Sequence, residues 1–480
     1  MGIHYPFKTK PYKHQIIALE KGWEALEFAY FMEMGTGKSK VLIDNACMLY
    51  DNGKIRGLLI ICPKGVMSTW IENELPAHLP LHITTRIARW STNHTSAKKA
   101  EINNLFQPND DLNILVINID ALITKKGSLV IDSFLNARLC MMAIDESTVV
   151  KNPKAKRTKA AIKFSTHARY RRILTGSPVT KSPLDLYGQC DFLNPHLLGF
   201  SSYYGFRNRY AIMQDMNFGG RRIKQVVSYQ RVEELQETVK EFSYRVTKEE
   251  CLDLPPKVYL RREFDMTKEQ KKAYNEMREM AISFFEEGSA STTSVITQLL
   301  RLHQISCGHL PLDGGDIVQE FDHRRMHTLE ETLDETQGKV IIWANYIHDI
   351  NNIKTFLEKK YGADTFVTYY GATKDKDRST ALHVFQDEAS SVRFFVGNTQ
   401  TGGYGITLTE ARTVIYYSNN YDLEKRLQSE DRAHRIGQRN AVTYVDLVCR
   451  NTVDEKIIKA LRNKISIARA ITGDDWREWI

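Results

Sequence analysis

Three stretches carry residue types at spacings suited to chemistry on a polyphosphate. The first is Phe31-Met32-Glu33-Met34-Gly35-Thr36-Gly37-Lys38-Ser39. Phosphate oxygens are well held by backbone N–H groups at a helix N-terminus, which requires that side chains stay out of the way. Gly35 and Gly37 allow that approach, Lys38 places a point charge on the outer phosphates, and Ser39 offers a hydroxyl to Mg²⁺. The phosphate-loop pattern has a glycine where this chain has Met32, and an ordinary glycine-rich turn is the alternative. The second stretch is Cys140-Met141-Met142-Ala143-Ile144-Asp145-Glu146, an apolar run ending in two acids. Carboxylates are costly to bury unpaired. A metal ion at Asp145 and an attacking water oriented by Glu146 would account for both; a helix cap at a strand end is the competing reading. The third is Gln428-Ser429-Glu430-Asp431-Arg432-Ala433-His434-Arg435. Gln428, Arg432 and Arg435 stand at i, i+4 and i+7, one stripe of a helix that Gly437 would end. Two guanidiniums on one face suit triphosphate oxygens; pairing with Glu430 or Asp431 is the plainer alternative.

Other stretches suit contact with a nucleic-acid backbone. Lys64 and Ser68 follow the apolar run Gly57–Cys62, and Asn118 stands at the end of the run Leu112–Ile119. Lys151-Asn152-Pro153-Lys154-Ala155-Lys156-Arg157-Thr158-Lys159 is a basic run just past the acid pair; such runs are usually solvated faces, with phosphate contact the second reading. Asn345 ends the run Val340–Ala344. Asn398-Thr399-Gln400-Thr401-Gly402-Gly403-Tyr404-Gly405 is a second glycine loop without the Lys-Ser tail, so its hydroxyls and N–H groups suit a nucleic-acid phosphate. Near the start, Tyr12 and Gln15 open a short amphipathic pattern. The Gln15 amide has one donor and one acceptor face, which matches an adenine edge, although a solvated helix start is the plainer reading.

The elements needed to hold these residues emerge from the apolar pattern. Continuous apolar runs at 25–34, 57–62, 112–119, 140–144, 339–344 and 393–397 read as buried parallel strands, with helical patterns between them as crossovers. Residues 184–244 read as helical and aromatic, with a basic Gly219-Gly220-Arg221-Arg222 loop that either touches nucleic acid or tips a hairpin. Residues 308–336 read as a polar outward loop, and Thr452-Val453-Asp454-Glu455-Lys456 opens a C-terminal helix. Pro255-Pro256 marks a junction. The chain has 480 residues with 42% hydrophobic and 26% charged content, and Lys plus Arg exceed Asp plus Glu by 8. That is a globular composition, with a mild excess that permits nucleic acid as partner without proving it. Seven cysteines, an odd number without C-x-x-C spacing, fit a reducing compartment. Cys307-Gly308-His309 reads as core packing rather than a metal pair, and no apolar run approaches the length of a membrane span.

In order, these motifs resemble the superfamily-two helicases, and within them the Swi/Snf-type DNA translocase ATPases. Glu33–Ser39 is similar to that family's first motif. Cys62-Pro63-Lys64 with Trp70–Glu74 is similar to motif Ia, and Asp145-Glu146-Ser147-Thr148 with Lys151-Asn152-Pro153 stands where the family has a D-E-x-H box and a K-N motif. Leu174-Thr175-Gly176-Ser177-Pro178 looks like motif III, and Leu254-Pro255-Pro256-Lys257 matches the inter-lobe junction. Lys339–Tyr346, Asn398–Gly405 and Gln428–Gln438 stand for motifs IV, V and VI. Thr148 replaces the box histidine, which in the family helps to couple hydrolysis to the other lobe.

The resemblance implies an α/β fold of two tandem RecA-like lobes with a helical insertion near the junction. The lobes are expected at residues 1–250 and 251–480, with helical segments at about 184–250 and 267–306. Its cofactors would be ATP and Mg²⁺, and its partner DNA, double-stranded. ATP would be bound by Tyr12, Gln15, Met34, Gly35, Thr36, Gly37, Lys38, Ser39, Gly403 and Gln428. Lys38, Asp145, Glu146, Arg432 and Arg435 would be catalytic, with Ser39 and Asp145 on the metal. DNA would meet Lys64, Ser68, Asn118, Lys151, Asn152, Asn345, Asn398, Thr399 and Thr401. The expected protein is a cytoplasmic monomer of bacterial or phage type that moves on duplex DNA. Strand separation at forks or junctions, and a nucleotide-gated binding module with weak ATPase activity, are the alternatives.

Overall fold

The computed structural model describes residues 3–472 apart from 92–95, 219–220, 252, 287–291, 313–317, 374, 403–405 and 436. The chain divides into two compact units. The first is built mainly from residues up to Met213 and from Val226–Asp253, the second from Leu254–Ile465.

The first unit is organised on seven parallel strands: β1 Glu27–Met32, β2 Gly57–Cys62, β3 Thr85–Arg89, β4 Leu112–Asn118, β5 Cys140–Asp145, β6 Tyr170–Leu174 and, after a separate antiparallel hairpin of β7 Ala211–Phe218 and β8 Arg221–Tyr229, β9 Ser243–Val246. The order across the sheet is β3-β4-β2-β5-β6-β1-β9. Every residue of β2 and β5 is buried, as expected of strands covered by helices on both faces. Asp145 pairs with Leu174, and Leu174 with Tyr30. This register makes the chain leave β5, β6 and β1 at one level of one sheet edge.

A buried cation secures this edge from the opposite end. Arg172 of β6 is fully buried and donates to Asn45 Oδ1 (2.8 Å), Gly22 O (2.9 Å) and Ala25 O (2.7 Å). It therefore caps the C-terminal carbonyls of the helix Lys13–Gly22, where a positive charge is favourable, and fixes that helix beside β1.

The second unit carries six parallel strands in the order β10-β17-β16-β13-β15-β14, with a small two-stranded piece, β11 with β12. Their ranges are β10 Lys257–Phe264, β11 His309–Pro311, β12 Val318–Glu320, β13 Lys339–Trp343, β14 Phe366–Tyr369, β15 Phe394–Gly397, β16 Ala411–Tyr416 and β17 Val442–Cys449. Each unit is thus an α/β layer fold of the RecA-like kind, and together they are the tandem arrangement that the motif order implies.

Two expectations are corrected. The segment 184–250 is not helical throughout: between the helices Tyr203–Tyr210 and Val232–Glu241 it forms the β7–β8 hairpin, and it ends in β9. The β-branched and long apolar residues of these strands, Ile212, Met213, Val226 and Val227, favour extended pairing. The segment 308–336 is not an outward loop, since it holds β11, β12 and the helix Arg325–Asp334. Arg325 is fully buried. It pairs with Asp454, donates to Tyr417 O (2.5 Å) and Leu447 O (3.1 Å), and lies 5.0 Å from the Phe264 ring centre. The polar sequence reads as exposed, yet one paired charge holds it inside.

Candidate phosphate site and arginine segment

The strand order β5-β6-β1 brings three segments together at the C-terminal edge of the first sheet, the edge where open α/β sheets bind ligands. Gly35 and Gly37 both take positive φ, 81° and 86°, which only glycine adopts freely. Gly37 is the N-cap of the helix Lys38–Asp51, whose first N–H groups have no partner within the helix. The Thr36 carbonyl is tied back, accepting from His14 Nε2 (2.8 Å) and Gln15 Nε2 (3.1 Å). Gln15 is itself held by the Tyr12 N–H on its Oε1 (2.9 Å). A Cβ placed on Gly37 would lie 2.2 Å from Gln15 Nε2, so Gln15 is packed directly against the loop. Both ends of its amide are engaged within the protein, while Tyr12 stays 52% exposed. Lys38 is buried and Ser39 half-buried at the head of the helix.

Asp145 ends β5 and Glu146 follows it. Both are buried, and Glu146 sits at φ 55°, ψ 61°, a left-handed conformation that costs a non-glycine residue on the order of 1 kcal/mol. The indole N–H of the fully buried Trp70 donates to Asp145 Oδ2 at 2.8 Å. Burial pushes the Asp145 carboxyl above its ordinary pKa, and the Trp70 hydrogen bond and Lys38 charge oppose that, while nearby Glu74 adds to it. β6 joins the two halves. Thr175 Oγ1 donates to Glu146 Oε2 (3.4 Å), and Gly176 packs so closely on the loop that an added Cβ would lie 2.9 Å from Met34 N. Ser147 Oγ donates to the buried Gln189 (2.7 Å), and Thr148 is buried beside it.

This donor set fits a magnesium triphosphate. It combines a glycine-opened main chain at a helix head, a buried ammonium, a hydroxyl, and a buried carboxylate whose charge the lysine favours. Ser39 and Asp145 are the groups that would hold the ion.

In the second unit the arginine stripe is corrected. The helix there is Leu423–Glu430, so Arg432 and Arg435 lie beyond it and Gly437 does not end it. Beyond Glu430 the backbone tightens: the Arg432 N–H reaches the Ser429 carbonyl (3.4 Å) and the Ala433 N–H the Glu430 carbonyl (3.2 Å), the Gln428 carbonyl is taken by Arg432 Nε (3.0 Å), and the Arg432 carbonyl accepts from the Leu408 N–H (2.9 Å). The two arginines converge by another route. Arg432 Nη1 (3.2 Å) and Arg435 Nη1 (3.3 Å) both donate to the carbonyl of Ile406. Glu430, the proposed competitor, is held by Arg426 (2.8 Å), Tyr259 (2.7 Å) and Lys257 (3.4 Å). Gln428 is buried, with Oε1 lacking a hydrogen-bond partner among the described residues.

The residues expected to meet nucleic acid are spread over both units. Lys64 and Asn152 are exposed, and Ser68 and Asn118 are half-buried. Lys151 donates to Thr180 Oγ1 (2.6 Å). Asn398 donates to the carbonyls of Ala344 (3.2 Å) and Asn345 (2.8 Å), linking the ends of β13 and β15. The Asn345 N–H donates to Ser418 (2.8 Å), and Thr399 is buried. Gly403 and the side chain of Thr401 lie outside the described residues. The sequence assigned no role to His14 or Gln189 and placed Trp70 only within motif Ia, and their partners Thr36, Ser147 and Asp145 lie 22, 42 and 75 positions away.

Residues 30–310 match the SNF2-related domain, and residues 324–437 the Helicase conserved C-terminal domain. The chain belongs to the SNF2-related family. Similar curated proteins include the TATA-binding protein-associated factor MOT1 of Saccharomyces cerevisiae, 25% identical over 98% of this chain and 28% of its own length. The ATP-dependent helicase brm of Drosophila melanogaster is 26% identical over 91% of this chain and 27% of its own. This SNF2-related chain spans 28% or less of those two relatives. Among solved structures, the Sulfolobus solfataricus SWI2/SNF2 ATPase core in complex with dsDNA is 25% identical, covering 98% of this chain and 95% of that one at a TM-score of 0.43. No helix among the described residues is long and apolar enough to cross a membrane.

Proposed function

We propose that this SNF2-related chain is a DNA-dependent ATPase that hydrolyses ATP to ADP and phosphate and moves along double-stranded DNA. The observation that carries the reading is the meeting of the Gly35–Ser39 loop, the Thr175–Gly176 turn and the Asp145–Glu146 pair at one sheet edge, in a family whose members include named ATP-dependent helicases.

The residues divide the work. Main-chain N–H groups from Gly35 to Ser39 and the Lys38 ammonium hold the phosphates. Ser39 and Asp145 would hold Mg²⁺, which when bound would neutralise charge on the phosphate oxygens. Glu146 orients the attacking water and takes its proton, in line with a phosphoryl transfer that relies on positioning and charge. Arg432 and Arg435 meet the triphosphate when the lobes close, and closure alternating with release moves the protein along a strand. The chain acts as a cytoplasmic monomer with lobes at about 1–250 and 251–480. The DNA contacts are Lys64, Ser68, Asn118, Lys151 and Asn152 on one lobe, and Asn345, Asn398, Thr399 and Thr401 on the other.

The test is ATP hydrolysis at fixed salt with no nucleic acid, plain duplex, single strand, fork and RNA, since phosphate contacts are salt-sensitive. Strong stimulation by plain duplex is expected, followed by displacement of a third strand from a triplex. Stimulation by forks alone would replace translocation with junction remodelling. Tight ATP binding without stimulation by any of them would replace it with a nucleotide-gated binding module.

A further inference from the structure

The segment after β2 is not a regular helix. Met67–Thr69 and Leu75–His78 are α-helical, but Trp70–Glu74 between them is one wide π-helical turn. Such turns lengthen a helix by one residue locally and are frequent at functional sites. Here the turn begins at Trp70, which is fully buried and whose single polar atom reaches Asp145 Oδ2 at 2.8 Å. Glu74, at the far end of the same turn, is close enough to act electrostatically on Asp145.

An apolar residue would fill this space without needing a partner, whereas a buried indole N–H requires an acceptor. The acceptor chosen is the buried carboxylate at the end of β5, 75 positions along the chain. A carboxylate held at one oxygen cannot rotate freely, and the other oxygen keeps a fixed direction. Ligating carboxylates generally need such support, and its loss costs roughly 10- to 100-fold in metal affinity.

We propose that Trp70 is a positioning residue for the nucleotide-bound metal: its indole N–H fixes Asp145 Oδ2, so that Oδ1 is presented to Mg²⁺. This rests on the proposed ATPase function, in which Asp145 is a metal ligand. The geometry makes a prediction that packing alone does not. Removing only the N–H should weaken the metal and leave metal-free nucleotide binding in place.

The experiment uses the full chain with Mn²⁺ and the non-hydrolysable analogue adenosine 5′-(β,γ-imido)triphosphate. Free Mn²⁺ is read by electron paramagnetic resonance, and analogue affinity is measured separately in EDTA. In Trp70→Phe, Mn²⁺ affinity should fall about 10- to 100-fold, while affinity in EDTA stays within about twofold. Should Trp70→Phe not fold, benzothienylalanine at position 70 keeps the bicyclic shape and replaces the N–H with sulfur; the same weakening is expected. Leu75→Ala, a buried packing change on the same segment, should lower stability without moving Mn²⁺ affinity. Wild-type Mn²⁺ affinity in a folded protein lacking the N–H, or equal losses with and without metal, overturns the role of Trp70 alone. Failure of the wild-type protein to bind Mn²⁺ with the analogue overturns the ATPase reading and this inference together.

Discussion

Glu146 is held in a backbone conformation that its residue type disfavours, φ 55° and ψ 61°, and its carboxylate is buried against Thr175. Strain of this kind persists where surrounding structure imposes it, and it clusters at functional sites. Two substitutions therefore separate chemistry from stability. Glu146→Gln removes the base and keeps the shape, so hydrolysis should fall about 10²- to 10⁴-fold while ATP and DNA are still bound; single-turnover hydrolysis beside filter binding checks this. Glu146→Gly should also be inactive, yet its melting temperature should match or exceed wild type, because glycine relieves the left-handed strain. A clear drop in melting temperature would show that the conformation is not strained. Arg435→Ala should lose about 10³- to 10⁵-fold in turnover with ATP binding retained. Equal loss of ATP affinity would assign Arg435 to binding instead.

At the scale of elements, the glycine loop is built as much by the helix before it as by its own sequence. His14 and Gln15 hold the Thr36 carbonyl, and Arg172 fixes the far end of their helix. Gly37→Ala faces both a positive φ of 86° and a Cβ 2.2 Å from Gln15 Nε2. It should abolish ATP binding and destabilise the first unit by more than about 1 kcal/mol. Gln15→Ala in the same chain should restore only part of that stability, since the backbone conflict remains; denaturant melts of the two single variants and the double variant give the coupling. β1, β2, β4, β5, β13 and β15 were legible because each is a continuous apolar run, and the glycine loop and acid pair because they close two such runs; the largely buried β16 and β17 were not, because Arg412, Thr413, Thr443 and Asp446 interrupt their apolar pattern. The arginine helix was misjudged because i, i+4, i+7 spacing does not reveal that the Arg432 side chain, not its N–H, takes the Gln428 carbonyl. Trp70 was legible as a helical residue but not as a partner of Asp145, since no local pattern encodes a contact over 75 positions.

For the whole molecule, ionisable groups buried in the second unit set its response to pH. Burial lowers the pKa of His303 and of His348, and that of His323 to about 4. The unfolded chain takes up these protons near pH 6.5 while the folded chain resists them, so their contribution is complete above that pH and is lost as pH falls. His323 alone should cost on the order of 1 kcal/mol between pH 7.5 and 5.5. Burial also works against the Asp454 carboxylate, but Arg325 and His303 hold it below the ordinary range. Its share is present above about pH 4 and lost below. Hydrogen exchange should therefore show residues 254–465 opening more readily at pH 5.5 than at 7.5. Arg325→Met, which strands Asp454, should destabilise the same residues by roughly 3–5 kcal/mol. Protection in this unit that does not change between those pH values would refute the histidine argument.

The start of the second unit is wired to its arginines by a short path. The Pro255 carbonyl accepts from His434 Nε2 at 2.7 Å, one residue before Arg435. Lys257 and Tyr259 on β10 grip Glu430, two residues before Arg432. As a mechanical part, the strand entering this unit is a tendon and the arginine segment is the bone to which it is tied. A pull on the chain at Leu254 would load the His434 bond at Pro255 and the β10–β17 pairing that begins at Lys257 together, so the arginine segment and the edge of this sheet would feel it as one part.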